Sequence, residues 1–210
     1  MDVEVASQIA PFLSGLDLFA IAVFAATGAL AAARHAQTFV TAAFFALVTG
    51  VGGGTTRDLL IGAPVVWIHH PWIAAICLAT AVLIWVTPER WWAGQAFDWL
   101  DAMGLAAYAV FGAAKALSYN VPPVPAAIMG VITACAGGIL RDILAGEPSI
   151  LMRPELYVTA AALAATLYVA LVALGLPSFP AALGASLAGV GLRGAAIRWK
   201  LALPSYRGRR

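Results

Sequence analysis

The sequence predicts an all-α membrane protein with seven transmembrane helices, arranged as a 3+3 inverted repeat followed by one C-terminal helix. Three observations predict this fold: an apolar composition, apolar stretches of membrane-spanning length, and a repeat with a constant offset. Of the 210 residues, 62% are hydrophobic and only 10% are charged, whereas a soluble domain has roughly 25% charged residues. This composition excludes an ordinary soluble fold.

Seven apolar segments account for most of the chain, and a membrane-spanning helix needs about 20 mostly apolar residues. The segments run approximately over residues 16–33, 39–61, 72–86, 99–117, 124–144, 156–174 and 179–197. The third is the shortest. Prolines fall mainly between the segments or at their edges, where a missing N–H costs least. We therefore expect one transmembrane domain over residues 1–210.

An internal repeat is the strongest signal in the sequence. Every matched pair is separated by the same 84 positions, so the alignment of the two halves needs no gap. The pairs are Asp17 and Asp101, Gly28 and Gly112, Thr49 and Thr133, Gly53-Gly54 and Gly137-Gly138, Arg57-Asp58 and Arg141-Asp142, Gly62 and Gly146, and Pro64 and Pro148. We place repeat 1 at about 16–87 and repeat 2 at about 100–175. Each repeat crosses the membrane three times, so the second copy is inverted, and such architectures build transport paths between the halves.

Basic residues predict the orientation, because lysine and arginine near helix ends are retained in the cytoplasm. One side of the predicted topology collects Arg34, Arg90, Arg141, Arg153, Arg193, Arg198, Lys200, Arg207, Arg209 and Arg210. The other side has Arg57 and Lys115. We expect a bacterial inner-membrane protein with a cytoplasmic C-terminus and an external N-terminus. The basic tail at 198–210, after a seventh helix at about 178–197, also suits contact with anionic lipids.

The cysteines, histidines and other reactive residues predict no disulfide, metal site or active site. Cys77 and Cys135 lie in apolar segments, which favours neither a disulfide nor a metal site. The three histidines lie in connections without a second group of metal ligands. No nucleophile and base, carboxylate dyad or metal cluster predicts an enzyme. We expect no cofactor and no nucleic-acid partner.

Two glycine-rich runs, GVGGGTTRDLLIGAP and ACAGGILRDILAGEP, lie in the second and fifth segments. They lack the lysine that a phosphate-binding loop requires. Glycine can kink a helix, and a break inside a membrane is tolerated where the freed backbone faces protein or water. The pore-lining candidates are Gly52, Gly53, Gly54, Gly137 and Gly138. The alternative is close helix packing through small residues.

Charged residues follow the glycines in both runs, at membrane depth, where ionisable groups are expensive and need a partner. These residues are Arg57, Asp58, Arg141 and Asp142. Because adjacent residues on a helix do not face each other, we expect the arginines to pair elsewhere. The topology predicts the ion pairs of Asp17 with Arg57 and of Asp101 with Arg141. Helix-start stabilisation by Asp17 and Asp101 is the alternative.

Lys115 breaks the symmetry of the repeat, since the equivalent position in the first half is Ala31. It is placed near the outer end of the fourth segment. An asymmetric charge there suits a gate. A long lysine side chain can also extend to the membrane interface.

The doubled motif, read here as GGTTRDLLIG and GGILRDILAG within seven helices, resembles the prokaryotic trimeric intracellular cation channels over essentially the whole chain. The resemblance implies a homotrimer with one pore in each subunit. It implies a pore lined by glycine-kinked second and fifth helices and permeable to monovalent cations, chiefly K⁺ and also Na⁺. A gating lysine would correspond to Lys115. The lysine-glutamate-valine motif that animal members use with phosphoinositide lipid is absent.

Two other functions remain open at this point. The same bacterial family includes members regarded as carriers of small amino acids such as glycine. Kinked helices and a polar cluster at mid-membrane suit a carrier as well as a channel. A lipid-binding or structural membrane protein is the third possibility, but it would leave the buried charges without a purpose.

Overall fold

The structure is a computed structural model that describes residues 3–92, 95–152 and 155–204, with side chains from residue 14 onward except those of residues 89 and 96. This part of the chain contains eight α-helices. They are α1 (Val3–Arg34), α2 (Phe39–Ile61), α3 (Val66–His69), α4 (Pro71–Val86), α5 (Ala96–Ser118), α6 (Pro123–Ala145), α7 (Tyr157–Ala173) and α8 (Ser178–Trp199). Short 3₁₀ turns at Glu89–Trp91 and Ile150–Met152 complete the connections.

The all-helical membrane fold is confirmed, and seven long helices correspond to the seven predicted segments. Five of them are long and apolar enough to cross a membrane: Ser14–Arg34 of α1, α2, Phe97–Ser118 of α5, α6 and α8. The apolar helices α4 and α7 are shorter, with 16 and 17 residues. Helix α1 begins at Val3, so it is longer than its apolar span. The additional helix α3 is a single turn between α2 and α4.

Four helices form the centre of the bundle. Helix α1 packs on α2 and α5, while α6 packs on α5 and α2. The outer helices follow the same plan in both halves, since α4 lies against α1 and α2, and α7 lies against α5 and α6. Helix α8 covers α5 and α7. Both glycine-rich runs therefore lie at the centre, where α2 meets α6.

Glycine ends both of the central helices α2 and α6 in the same way. Gly62 and Gly146 each have φ of 68°, a left-handed conformation that favours glycine because it has no Cβ. The Gly62 N–H donates to the carbonyl of Asp58, and the Gly146 N–H donates to the carbonyl of Asp142. These caps explain why glycine recurs at these matched positions.

Helices α2 and α6 run without interruption through their glycines. The kinks at these glycines stay a prediction. Two of the glycines serve the contact between the two helices. A Cβ on Gly53 would collide with the Thr133 carbonyl oxygen, and one on Gly137 would lie 2.8 Å from the Thr49 carbonyl oxygen. Glycine is needed at these two positions because the backbones of α2 and α6 touch there.

Candidate functional site

Apart from Arg193, the buried charges of the described residues gather in two clusters at opposite ends of the central bundle. The Asp58 cluster consists of Asp17, Arg57, Asp58 and Lys115, and the Asp142 cluster consists of Asp101, Arg141 and Asp142. Helix α5 contributes to both, through Lys115 and Asp101. These residues are 14 positions apart, which is about 21 Å along a helix. The two clusters therefore lie on opposite sides of the membrane core.

In the Asp58 cluster, one carboxylate oxygen binds two cations. Asp58 Oδ1 accepts from Arg57 Nε at 2.8 Å and from Lys115 Nζ at 2.7 Å. The side chains of Arg57 and Asp58 are 1% and 2% exposed, and that of Lys115 is 14% exposed. The Arg57 guanidinium also lies over the Phe111 ring, with 4.7 Å between the guanidinium carbon and the ring centroid. Lys115 therefore points inward and ties α5 to α2 rather than extending to the membrane interface.

The predicted ion pair of Asp17 with Arg57 is wrong. Among the described residues, the carboxylate that binds Arg57 is the adjacent Asp58. Neighbouring Cβ atoms on a helix diverge, but the long arginine stem lets its guanidinium turn onto the next carboxylate. The expectation that both arginines pair only with distant residues fails for the same reason. Asp17 is buried beside Arg57 and Asp58, where it lines a shared cavity.

In the Asp142 cluster, the predicted pair of Asp101 with Arg141 is confirmed. Arg141 Nη1 donates to Asp101 Oδ1 at 2.6 Å. Arg141 Nε also donates to Asp142 Oδ1 at 3.0 Å, and Asp142 Oδ2 accepts from the backbone N–H of Ile150 at 2.7 Å. The guanidinium carbon lies 4.7 Å from the centroid of the Phe97 ring. This network joins α5, α6 and the 3₁₀ turn that precedes α7.

Arg193 is a third buried arginine, which the sequence analysis uses only to predict the orientation. Arg193 of α8 is 1% exposed, and its Nη2 donates to Glu155 Oε2 at 2.6 Å. Its guanidinium carbon lies 5.4 Å from the centroid of the Tyr157 ring. A charge inside the seventh apolar segment was the available signal, because such a charge needs a partner. Arg193 fastens α8 to the beginning of α7.

Each cluster borders a cavity. The cavity at the Asp58 cluster offers about 20 Å³ to the centre of a water molecule, and its wall includes Asp17, Gly54, Asp58 and Tyr108. The cavity at the Asp142 cluster offers about 60 Å³ and is lined by Arg34, Asp98, Asp142 and Glu147, among others. A single water needs roughly 10–15 Å³ on this measure. Both cavities thus have room for water beside buried charge.

The remaining motif glycines border the guanidinium groups or an apolar side chain. A Cβ on Gly54 would lie 3.6 Å from Arg57 Nη2, and one on Gly138 would lie 3.7 Å from Arg141 Nη2. A Cβ on Gly52 would lie against Leu140. Gly53 and Gly137 pack helices together, whereas Gly54 is placed on a cavity wall. Close helix packing thus applies to Gly53 and Gly137, and the pore-lining role of the motif glycines stays a prediction.

Several residues named in the orientation prediction, Arg153, Arg207, Arg209 and Arg210, lie outside the described residues. The structure has no group of metal ligands in the part that it describes. Within residues 3–92, 95–152 and 155–204, no three His, Cys, Asp or Glu side chains lie close enough together to hold a metal ion. Cys77 and Cys135 are both buried free thiols.

Sequence comparisons identify relatives over most of the chain. The sequence profile of a family described as "Glycine transporter" matches residues 15–89 and again residues 98–173. A UPF0126 membrane protein of Vibrio cholerae is 39% identical over 197 residues, which cover 91% of this chain and 81% of the relative. The UPF0126 inner membrane protein YadS of Escherichia coli is 34% identical, with 91% of this chain and 94% of YadS covered.

Solved structures give the same result. The trimeric intracellular cation channel orthologue from Rhodobacter sphaeroides superposes with a TM-score of 0.84, at 41% identity, over 90% of this chain and 99% of that one. A second TRIC cation channel gives a TM-score of 0.82 at 28% identity, over 94% and 98% of the two chains. The four relatives are named as membrane proteins or channels rather than as enzymes. The resemblance seen in the sequence is confirmed, and this chain belongs to the family of prokaryotic membrane proteins that includes the UPF0126 proteins and the TRIC cation channels.

Proposed function

We propose that this chain is a monovalent cation channel, with K⁺ as its main permeant ion, and that it works as a homotrimer with one pore in each subunit. The observation that carries the proposal is the pair of charged cavities at opposite ends of one helical bundle. Solved relatives bear the names of trimeric cation channels. A membrane protein has little other use for carboxylates buried beside water-sized cavities.

The proposed path joins the two cavities through the region where α2 meets α6. The path would begin beside Asp17 and Asp58, pass the contact of α2 with α6, and leave beside Asp98 and Asp142. At the Asp142 end, the cavity wall bears three carboxylates and two arginines, an excess of negative charge that favours cations over anions. At the Asp58 end, the carboxylates are balanced by Arg57 and Lys115 as long as Lys115 is bound. Gly54 and Gly138 would leave room for the path beside the arginines, while Gly53 and Gly137 hold the helices together.

The 3+3 inverted repeat is part of the same proposal. It is supported by the double match of the family profile and by reciprocal contacts, because Gly53 meets Thr133 while Gly137 meets Thr49. We propose that the C-terminus is cytoplasmic and the N-terminus external in a bacterial inner membrane, with lipid contacts at the basic tail. Reporter fusions at the two termini, one active only outside the cytoplasm, would test the orientation.

Lys115 is the proposed gate. It belongs to α5, whereas its partner Asp58 belongs to α2, so their 2.7 Å contact crosses between the halves. While Lys115 is bound, Asp58 faces two cations and has no excess negative charge to attract K⁺. Withdrawal of the flexible lysine would free the carboxylate for a permeant ion and loosen α5 from α2.

Single-channel recording tests the function and the gate. Purified protein in planar bilayers under a KCl gradient should give discrete currents that reverse near the K⁺ equilibrium potential. Lys115→Ala should raise the open probability by about tenfold, since a hydrogen bond to a charged group is worth about 1.5–3 kcal/mol. The control is Lys200→Ala, an exposed lysine that ends α8. Equal open probabilities in the two variants would remove Lys115 from the gate, and wild-type bilayers without current would reject the channel.

A glycine carrier is the second candidate, because the family profile that matches both halves is described as a glycine transporter. The cavity at the Asp142 cluster bears groups of both signs, such as Arg34 and Asp98, which suit a zwitterion. Glycine uptake into proteoliposomes from the same preparation decides between the two. Saturable uptake without single-channel currents would establish the carrier.

A further inference from the structure

Two aromatic rings stack at the centre of the molecule, between the two charged clusters. Phe24 of α1 and Tyr108 of α5 have ring centroids 5.3 Å apart and planes inclined by 20°, and both side chains are 0% exposed. They occupy equivalent positions in the two halves, separated by the same 84 residues as the motif pairs. The repeat therefore brings its own two copies of one position into contact.

The ring pair lies midway along the bundle. Tyr108 is seven residues after Asp101 and seven before Lys115, which places it about 10 Å from the level of each cluster. Tyr108 lines the cavity at the Asp58 cluster. It is not among the residues that line the cavity at the Asp142 cluster. Tyr108 thus forms part of the wall of the first cavity and not of the second.

The motif glycines make room for the rings. A Cβ on Gly53 would lie 3.5 Å from the Tyr108 ring, and a Cβ on Gly137 would lie 3.4 Å from the Phe24 ring. Each ring therefore occupies the space beside a glycine at the contact of α2 with α6.

The two rings differ in one atom. The Tyr108 hydroxyl donates to the Gly50 carbonyl oxygen at 2.8 Å, whereas Phe24 has no hydroxyl. This bond joins α5 to α2 at the level of the ring pair. It also covers a carbonyl oxygen, which is the type of ligand that K⁺ prefers in channels.

We propose that the Phe24–Tyr108 ring pair is the closed constriction between the two cavities, and that the hydrogen bond of the Tyr108 hydroxyl to Gly50 holds it closed. Rotation of Tyr108 away from Phe24 opens the layer and uncovers the Gly50 carbonyl oxygen and the face of the Phe24 ring, and both groups attract a passing cation. Tyr108 is thus a second gating residue, distinct from Lys115. This inference rests on the proposed transport function.

The test is Tyr108→Phe, which removes the hydroxyl and keeps the ring. The matched control is Tyr168→Phe, another buried tyrosine, which belongs to α7 and is not among the residues that line either cavity. Loss of one neutral hydrogen bond should raise the ratio of open to closed time by about fivefold in Tyr108→Phe, with unchanged unitary conductance. In Tyr168→Phe the ratio should equal that of the wild type. Equal ratios in the two variants would overturn the role of the hydroxyl.

A second variant tests the ring itself. Tyr108→Leu, with Phe24→Leu as its counterpart in the other half, should raise resting K⁺ flux into proteoliposomes above that of the wild type. If the wild type gives no current but takes up glycine, the channel is rejected, and the inference then requires faster glycine uptake in both leucine variants. Folded leucine variants with wild-type flux of either solute would show that the rings are not the constriction.

Discussion

The Asp58 cluster and the Asp142 cluster contain the same Arg-Asp dipeptide, at equivalent positions of the repeat, but they hold it differently. Asp142 accepts from Arg141 and from the backbone N–H of Ile150, and Arg141 has a second carboxylate in Asp101. Asp58 accepts from Arg57 and from the side chain of Lys115. One cluster is completed by backbone, and the other by a flexible side chain.

Because of this difference, the contacts of the Asp142 cluster are more rigid than those of the Asp58 cluster. A backbone N–H moves only when its chain segment moves, whereas a lysine ammonium is a point charge on a flexible four-carbon stem. The Asp142 cluster is thus suited to holding α5, α6 and the start of α7 together. The Asp58 cluster is suited to opening. The repeated sequence supplies two similar ends, and a few substitutions give them different contacts.

The largest difference in stability between the two clusters should come from mutating Asp101 and its counterpart Asp17, the aspartates that precede the Arg-Asp dipeptides. Asp101 is 1% exposed and bound to Arg141. Asp101→Asn removes the charge opposite a buried guanidinium, and breaking a buried pair costs about 3–5 kcal/mol. Asp17→Asn, the matched control, breaks no ion pair and should cost less than about 1 kcal/mol. Thermal unfolding in one detergent measures both, and equal losses would mean that Asp17 stabilises Arg57 after all.

Alanine substitutions of the matched glycines Gly54 and Gly138 should give an intermediate difference in the free energy of unfolding. A Cβ on Gly138 would lie 2.9 Å from the hydroxyl of Tyr157, a fully buried side chain, whereas a Cβ on Gly54 meets only the Arg57 guanidinium. Gly138→Ala should destabilise the protein by about 1–3 kcal/mol. Gly54→Ala should be neutral or stabilise it by up to about 1 kcal/mol, as alanine does in a helix. The same unfolding measurement applies, and a more harmful Gly54→Ala would reverse the assignment of the rigid end.

The smallest effect on stability should come from the surface contact between His35 and Glu147, near the Asp142 cluster. His35 Nε2 lies 3.0 Å from Glu147 Oε1, and the side chains are 41% and 44% exposed. This contact is an ion pair only when the imidazole is protonated, and exposed ion pairs contribute about 0–1 kcal/mol. His35→Ala should therefore lower the unfolding temperature only slightly, and with a protonated imidazole less so in high salt. His69→Ala, an exposed histidine of α3, is the control. A loss as large as that of Asp101→Asn would contradict the view that the buried network carries this end.

Sequence reasoning recovered the fold and one of the two predicted ion pairs. Apolar segments and charged matches are visible in one chain, so the helices and the pair of Asp101 with Arg141 could be predicted. The pair of Asp17 with Arg57 failed because equal residues were assumed to make equal contacts. The neighbours differ: Tyr157 and Ile150 of the second half correspond to Ile73 and Val66 of the first.

Other features of the site depend on three-dimensional placement. The central ring pair could not be predicted, because phenylalanine and tyrosine look like ordinary core residues in an apolar helix. A glycine that touches a carbonyl and one that borders a cavity also look the same in a sequence. Gly53 and Gly54 are adjacent in the chain and differ only in the direction that each presents to its neighbours.

The short outer helices have a consequence for the surrounding membrane. Helices α4 and α7, with 16 and 17 residues, extend about 24 and 26 Å, less than the roughly 30 Å of a typical hydrocarbon core. Both lie on the outside of their halves, against the central pairs of helices. A span shorter than the hydrocarbon core is accommodated by local thinning of the bilayer, by flanking side chains that extend to the interface or by oligomerisation, at a cost of a fraction of a kcal/mol per Å. Two of the seven long helices are thus shorter than a typical hydrocarbon core is thick, so a change in bilayer thickness should act first on these two helices.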